Sequence, residues 1–403
     1  MNHPAIAALV LTFAASHTLA HDSVSADGDN AARTISFPDT ADHHTVIVDL
    51  HTHSVFSDGH VWPNVRVAEA QRDGLDGLAI TEHLEWQPHR AHLPHPDRNA
   101  AFQEAADAAG GSDLLVINGT EITRDPPAGH MNAVFVTDAN ALVAPVEEDV
   151  GDDPGAYYQA AAAWPAREAV LAANDQGAFV FWNHAWWSRT SANAPVLMTD
   201  FHADLAHLGK LHGIEIANGQ MYSEAAHRLA LAQDLTLIGT SDVHNLVDWD
   251  YEPHRGGHRP VTLVLAEERS HEGVKAGLFA GRTAVLFRHI LIGRRQHLQP
   301  LLEAGLTLDE AARDTRREVV SVTLRNHTSS PFRLRSAPGS EQTFAMHADL
   351  VDIAPHATEQ LSVTSEVPGP TLTLEFEVLS ALTAPGAHPR LTLTHALPPV
   401  ASD

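Results

Sequence analysis

The chain has 403 residues, enough for two domains, and 44% of them are hydrophobic, which supports buried cores. Lys and Arg number 25 against 51 Asp and Glu, and the formal charge of -26 argues against binding nucleic acids or anionic lipid surfaces. Because there is no cysteine, disulfides and thiolate metal sites are excluded, and any metal must be bound by His, Asp and Glu.

The N-terminal residues predict a targeting segment followed by a lead-in. Residues 4–20 are apolar and end in Leu19-Ala20, as in a secretory signal peptide, although no Lys or Arg precedes them. The alternative is a buried helix. We expect a signal peptide over 1–20, a flexible lead-in over 21–43, and a secreted or periplasmic protein. No later apolar run is long enough to span a bilayer, so no membrane span is expected after signal cleavage.

Strands alternate with helices over residues 44–315. Strands are predicted at 45–51, 78–81, 114–117, 132–136, 178–182, 213–216, 236–240 and 261–265, and helices at 64–72, 100–109, 156–174, 223–234, 272–279 and 298–303. This order is typical of an α/β barrel or a doubly wound sheet. The gap between strands 114–117 and 132–136 is too short for a parallel crossover, so these strands should pair antiparallel or lie outside the alternation.

The pattern changes from about Glu318. Apolar and polar residues alternate with a period of two in runs around 319–324, 332–335, 361–363, 372–378 and 391–394, separated by Pro, Gly and Ser. This predicts a small all-β sandwich over residues 316–400.

Potential metal ligands follow the predicted strands. His51 and His53 end the first strand, where residues two apart point the same way, and Asp58 follows in a Ser-Asp-Gly turn. Asp49 is expected to orient a ligating His, and Glu82 to point away from the site. Because one ion needs about four ligands, the full set implies two or three ions. The set is His51, His53, Asp58, His83, Glu121, His130, His184, Asp242 and His244.

The order of these motifs resembles that of the PHP (polymerase and histidinol phosphatase) family, over roughly residues 45–290. Its motifs are His-x-His with a Ser-Asp-Gly turn, Thr-x-His, Gly-x-Glu with a later Gly-His, a strand-end His and Ser-Asp-x-His; they are found here at 51–59, 81–83, 119–130, 184 and 241–244. Ala185 departs from a frequent Pro. The resemblance implies a distorted seven-stranded β/α barrel and a trinuclear site. It assigns His51, His53, Glu121 and Asp242 to one ion, Glu121, His130 and His184 to a second, and Asp58, His83 and His244 to a third.

The architecture also resembles that of secreted bacterial PHP-type phosphodiesterases. The resemblance implies hydrolysis of a small-molecule phosphate ester, foremost a phosphodiester, by a metal-bridging hydroxide, with Glu121, Asp242 and Asp58 as catalytic carboxylates. The donor set suits Mn²⁺, Zn²⁺ or Fe²⁺ without a choice among them. The alternatives are a phosphomonoesterase of the same fold and a non-catalytic metal-binding adhesion protein. Neither the natural substrate nor the oligomeric state follows from the sequence.

Four residues are candidates for substrate contact. Arg189 could steer a phosphate, and Trp187 is either a core aromatic or a wall facing the substrate. His254 and Arg255 follow the last motif, on a loop expected over the mouth of the site.

Overall fold

The structure, a computed structural model, describes residues 33–146, 150–187, 196, 198–314, 319–340, 343–344, 349–364 and 369–397. Strands of the N-terminal domain are β1 His44–Asp49, β2 Gly77–Ile80, β3 Leu115–Thr123, β4 His130–Val134, β5 Phe179–Trp182, β6 Gly213–Asn218, β7 Met221–Tyr222, β8 Thr236–Thr240, β9 Val261–Ala266, β10 Thr283–Phe287 and β11 Ile290–Gly293. Its helices are α1 Pro63–Arg72, α2 Ala100–Ala109, α3 Pro154–Ala162, α4 Ala166–Asp175, α5 Asp200–His207, α6 Glu224–Ala232, α7 Val247–Tyr251, α8 His271–Phe279 and α9 Arg295–Gly305.

These strands form one curled sheet. Its order is β11-β10-β9-β1-β2-β3-β4-β5-β6, with β7 and β8 both paired to β6. Strands β1, β2 and β3 are parallel, as are β5, β6 and β8, and β4 runs antiparallel between β3 and β5, which confirms the predicted antiparallel pair. Backbone hydrogen bonds from Asp242 N to His51 O (2.9 Å) and from His53 N to Val243 O (3.2 Å) join the ends of β8 and β1. The seven strands β1 to β6 and β8 therefore curl around the point where the predicted ligands lie.

Local sequence explains the boundaries of these elements. Strand β1 is apolar and buried on both sides, so that Val46 and Val48 pack in one cluster and Ile47 packs in another. Pro165 divides the predicted long helix into α3 and α4, because its ring cannot continue the first helix. Ser223 caps α6 by accepting a hydrogen bond from Ala226 N at 3.2 Å.

The C-terminal region forms two antiparallel four-stranded sheets and confirms the predicted sandwich. Its strands are β12 Leu306–Asp314, β13 Val319–Asn326, β14 Phe332–Ser336, β15 Thr343–Phe344, β16 Leu350–Ile353, β17 Thr358–Thr364, β18 Thr371–Val378, β19 Ala381–Leu382 and β20 Arg390–Ala396. The sheets are β12-β13-β17-β15 and β16-β14-β18-β20, and alternate residues such as Leu324, Leu334 and Phe376 fill the core between them. Strand β12 pairs with β13, so this domain begins its first strand before the boundary expected at 315.

One strand of the C-terminal region belongs to the sheet of the barrel. Strand β19 pairs in parallel with β11, and Leu291 N donates to Ser380 O at 3.0 Å. The side chain of Leu382 packs against a cluster of buried apolar residues of the barrel domain. The two domains therefore share a continuous sheet.

Truncation tests this shared sheet. A chain ending after Gly305 lacks β19, exposes the edge of β11 and uncovers apolar residues of α9 such as Leu301. We therefore expect a lower melting temperature and a free energy of unfolding reduced by at least the value of one buried apolar side chain (~1.5–3 kcal/mol). Its metal content should match that of the full chain, since none of the nine predicted ligands lies beyond 305. A chain ending after Asp314 retains an unpaired β12 and should be less soluble than the shorter one. Thermal unfolding and metal analysis of the two truncated chains test this prediction. It is contradicted if the shorter chain melts at the same temperature as the full protein.

Candidate metal centre

The nine predicted ligands meet at one end of the barrel. His51 and His53 follow β1, His184 follows β5, and Asp242 and His244 follow β8. Glu121 lies near the end of β3, and His130 begins the antiparallel β4, so both reach the same end of the barrel. Carboxyl ends of parallel barrel strands converge on one face, and this explains why residues distant in sequence come together. Backbone pairing of His83 with Glu121 extends β2 beside β3 and holds these two residues next to each other.

Four side chains meet beside the ends of β1, β3 and β8. His51 Nε2 and His53 Nε2 lie 3.0 Å apart. Asp242 Oδ1 lies 3.3 Å from the first and 3.2 Å from the second. Glu121 Oε1 lies 3.5 Å from His51 Nε2, and Glu121 Oε2 lies 3.6 Å from His53 Nε2. These four residues could hold one cation.

Glu121 also belongs to a neighbouring group. His83 Nδ1 lies 2.6 Å from its Oε2, and His130 Nδ1 lies 3.0 Å from its Oε1. His184 Nε2 approaches the same Oε1 at 3.6 Å. Both oxygens of this carboxylate therefore face imidazoles from separate strands.

Asp58 closes the other side of the site. Its Oδ1 lies 3.1 Å from His244 Nε2, and its Oδ2 lies 3.4 Å from His83 Nε2. Gly59 makes this turn possible, because a Cβ there would lie 2.7 Å from the His53 carbonyl carbon. In the described residues, three sets have ligand atoms within 4.8 Å of one another: His53, Asp58, His83 and His244; His51, His53 and Glu121; and His83, Glu121 and His130.

The ionised carboxylates of the site suit a cation. Burial by itself raises the pKa of Glu121, but the imidazoles of His83 and His130 outweigh it, and the pKa lies well below its usual range. Nearby imidazoles likewise outweigh burial at Asp242 and lower its pKa. Burial and neighbouring imidazoles lower the pKa of His53 to about 3. The carboxylates around His51 and His83 outweigh burial and raise the pKa of both imidazoles well above the usual range. Because ionised carboxylates and neutral imidazoles are the forms that bind metals, a cation binding here would displace protons from these two rings.

Three buried carboxylate oxygens test whether the residues fit a metal. Asp58 Oδ1, Glu121 Oε2 and Asp242 Oδ1 make no hydrogen bond of regular geometry among the described residues, and their nearest polar partners are imidazole nitrogens. A buried carboxylate oxygen is costly unless a donor or a cation compensates its charge. With the facing imidazole nitrogens, these oxygens form the donor set of first-row divalent cations. The residues fit the metal-binding role that their order predicts.

Two of the nine residues have unusual backbone conformations. His184 has a φ of 23° and Asp242 has a φ of 51°, both in the left-handed region that non-glycine residues seldom adopt. Such conformations cost about 1–3 kcal/mol each and occur most often at functional sites. The strain here aims two side chains at a shared point.

Sequence reasoning missed the buried carboxylate that supports the site. Glu215 on β6 lies with Oε1 2.8 Å from His51 Nδ1, and its Oε2 accepts from His184 N at 2.6 Å. Thr240 and Asn218 also donate to it, at 2.6 and 2.9 Å. The carboxylate accepts a hydrogen bond from Nδ1 of His51, and this contact turns the Nε2 atom of the ring toward the other ligands.

Two expectations about neighbouring carboxylates are wrong. Asp49 does not contact a ligating imidazole; it accepts from Ser241 Oγ at 2.6 Å and from Arg259, so it holds the loop before Asp242. Glu82 is buried and accepts from Ser54 N (3.1 Å) and the hydroxyl of Ser57. It therefore supports the turn that carries Asp58, because residues 82 and 83 continue beside β3 instead of ending as a free strand.

The predicted substrate residues differ in position. Trp187 is exposed beside the site, with its ring centroid 4.9 Å from that of His184. His254 and Arg255 are exposed, and Arg255 pairs with Glu252 at 2.9 Å. Within the described part of the chain, no hydrogen bond or ion pair joins either of them to the nine residues. Arg189 lies outside the described residues.

Comparisons with known proteins agree with this architecture. A family model described as PHP domain matches residues 49–234, and one described as Ig-like domain matches residues 306–394. The chain is similar to the crystal structure of a two-domain protein from Bacteroides vulgatus containing a predicted PHP-like metal-dependent phosphoesterase. The identity is 33% and the TM-score 0.78, over 90% of this chain and 98% of that one.

More distant similarities add no argument. A proposed metal-dependent phosphoesterase from Bifidobacterium adolescentis has 23% identity and a TM-score of 0.34, over 49% of this chain and 87% of that one. An amidohydrolase from Chromobacterium violaceum with bound sulfate and no metal has 18% identity and a TM-score of 0.33, over the same shares. A comparison with curated proteins finds no match. Across the described residues, no helix combines the length and apolar character needed to cross a membrane.

Proposed function

The chain belongs to the PHP domain family, and from this premise we propose that it is a metal-dependent phosphoesterase whose preferred substrates are phosphodiesters. The observation that carries the proposal is the set of three buried carboxylate oxygens whose nearest polar partners are imidazole nitrogens from several strands.

The geometry supports a site for three cations that share ligands. Glu121 faces two groups of imidazoles, and Asp58 faces a third. Bound divalent cations would polarise the phosphoryl oxygens and lower the pKa of water to near neutrality. Glu121 and Asp242 supply negative charge that offsets the repulsion between cations, while Glu215 holds the ring of His51 in place. Mn²⁺, Zn²⁺ and Fe²⁺ all suit these donors.

The charge around the site favours a diester over a monoester. At pH 7 a phosphomonoester carries up to two negative charges, since its second pKa is about 6, whereas a phosphodiester carries one. Within the described residues, no Arg or Lys side chain forms a hydrogen bond or ion pair with a side chain of the nine ligands. The described part of the site thus offers no cationic side chain for a second charge, while Arg189 lies outside it, and the chain as a whole carries a net charge of -26.

Paired assays test this function. We expect bound divalent metal in the purified protein, and a kcat/KM for bis(4-nitrophenyl) phosphate at least roughly tenfold above that for 4-nitrophenyl phosphate. A chelator should abolish both rates. A higher kcat/KM for the monoester would favour the phosphomonoesterase instead. Full metal content without hydrolysis of either ester would indicate a metal-binding protein without this catalytic activity.

Export is a further part of the proposal. Residues 4–20 have the apolar character of a signal peptide, and they lie outside the described residues. We expect the native protein to begin near His21, and N-terminal sequencing that finds Met1 intact would contradict this.

A further inference from the structure

An exposed tryptophan lies directly against the metal-binding imidazoles. The backbone N–H of Trp187 donates to His184 O at 2.7 Å, which fixes the indole one turn beyond this ligand. The indole centroid is 4.9 Å from that of His184 and 6.1 Å from that of His130, and 73% of the residue is exposed. The indole therefore forms part of the wall of the site and remains open to solvent.

Position beside the ligands, not exposure alone, distinguishes Trp187 from the other tryptophans. Trp186 is buried, and Trp182 is buried and stacked on His202 with centroids 3.8 Å apart. Trp249 is 71% exposed on α7. Of the ring contacts among described residues, only those of Trp187 join a tryptophan to imidazoles of the nine ligands. A large apolar side chain left in solvent beside a reactive centre is typical of a ligand-binding surface.

We propose that Trp187 is the stacking platform for a planar aromatic ring carried by one ester group of the substrate. This inference rests on the proposed phosphodiesterase function, since it places the phosphate at the metal centre and the ring on the indole. An indole face binds planar rings in offset or edge-on arrangements that a saturated ring cannot adopt equally well. A simple aryl group and a nucleobase share this chemistry.

The role is separate from metal binding. The indole N–H is a donor only and cannot act as a ligand to a cation. Replacing Trp187 should therefore leave the metal content unchanged and alter only the affinity for the ring.

Calorimetry with three monoanionic esters of methylphosphonate tests the proposal on metal-loaded protein. The esters carry a phenyl group, a cyclohexyl group of similar size, or thymidine. We expect the phenyl or the thymidine ester to bind roughly five- to tenfold more tightly than the cyclohexyl ester. The tighter of the two identifies an aryl or a nucleobase source. Trp187→Ala should abolish this preference, Trp187→Phe should retain part of it, and Trp249→Ala, which removes an equally exposed indole, should retain all of it.

The outcomes distinguish this inference from the function on which it rests. Equal affinities for the aromatic and cyclohexyl esters in the unaltered protein would overturn the stacking platform, even if phosphodiesters are hydrolysed. The same loss in Trp187→Ala and Trp249→Ala would also overturn it. Failure to hydrolyse any phosphodiester, in contrast, would contradict the proposed function, whatever the binding preference.

Discussion

Replacing Glu121 by Gln is expected to remove at least one cation per chain and to lower kcat by at least roughly a thousandfold. Gln nearly preserves the volume but removes the negative charge and one donor oxygen. Both oxygens of Glu121 now face imidazoles: Oε2 lies 2.6 Å from His83 Nδ1, and Oε1 lies 3.0 Å from His130 Nδ1. Metal analysis and turnover of the purified variant measure the effect.

The control for this substitution must lie away from the site. Glu82→Gln is unsuitable, because that buried side chain accepts hydrogen bonds from the turn of residues 54–57. Glu104→Gln makes the same chemical change on the exposed face of α2 and should leave metal content and kcat unchanged. If Glu121→Gln retains full metal and near-normal turnover, the shared-ligand site does not exist.

The ligand residues could be predicted because their signal is local. A His-x-His pair at the end of an apolar strand places two imidazoles on one side, whatever the rest of the chain does. Strand order then decides which strand ends meet. A repeated strand–helix pattern is typical of a barrel or a doubly wound sheet, and the resemblance to the PHP family implied the barrel. The antiparallel position of β4 followed from the short connection alone.

The supporting residues could not be predicted in the same way, because their partners are distant in sequence. Glu215 lies in the apolar run 213–216, and a single carboxylate in such a run was the available signal for a buried, hydrogen-bonded charge. Its partner His51 is 164 residues away, so the contact depends on the barrel closing. Strand β19 has two residues, too few for a period-two pattern, and its pairing with β11 depends on how the domains pack.

The positions of the residues predicted to contact the substrate also depend on the folded backbone. A loop over the mouth was expected to carry His254 and Arg255 to the site, but the loop keeps Arg255 paired with Glu252. Trp186 and Trp187 are adjacent and chemically identical, and only the turn after His184 decides which is buried. Sequence alone leaves such a choice open because it depends on backbone direction at one residue.

Glu215→Gln is expected to weaken metal binding by about ten- to a hundredfold and to lower turnover with it, although Glu215 is not itself a predicted ligand. The carboxylate accepts at both oxygens, from His51 Nδ1 (2.8 Å), Thr240 Oγ1 (2.6 Å), His184 N (2.6 Å) and Asn218 Nδ2 (2.9 Å). A Gln amide turns one of these acceptors into a donor, which must face an N–H or O–H, so the ring of His51 or the backbone of His184 loses its anchor. Chelator competition should show the lower affinity, and excess metal should restore part of the rate. Thr240→Val removes one of the four hydrogen bonds and should give a smaller loss of affinity, whereas Glu224→Gln, on the exposed start of α6, should give none. If Glu215→Gln binds metal as tightly as the unaltered protein, the ring of His51 is held by its other neighbours and the carboxylate serves the fold alone.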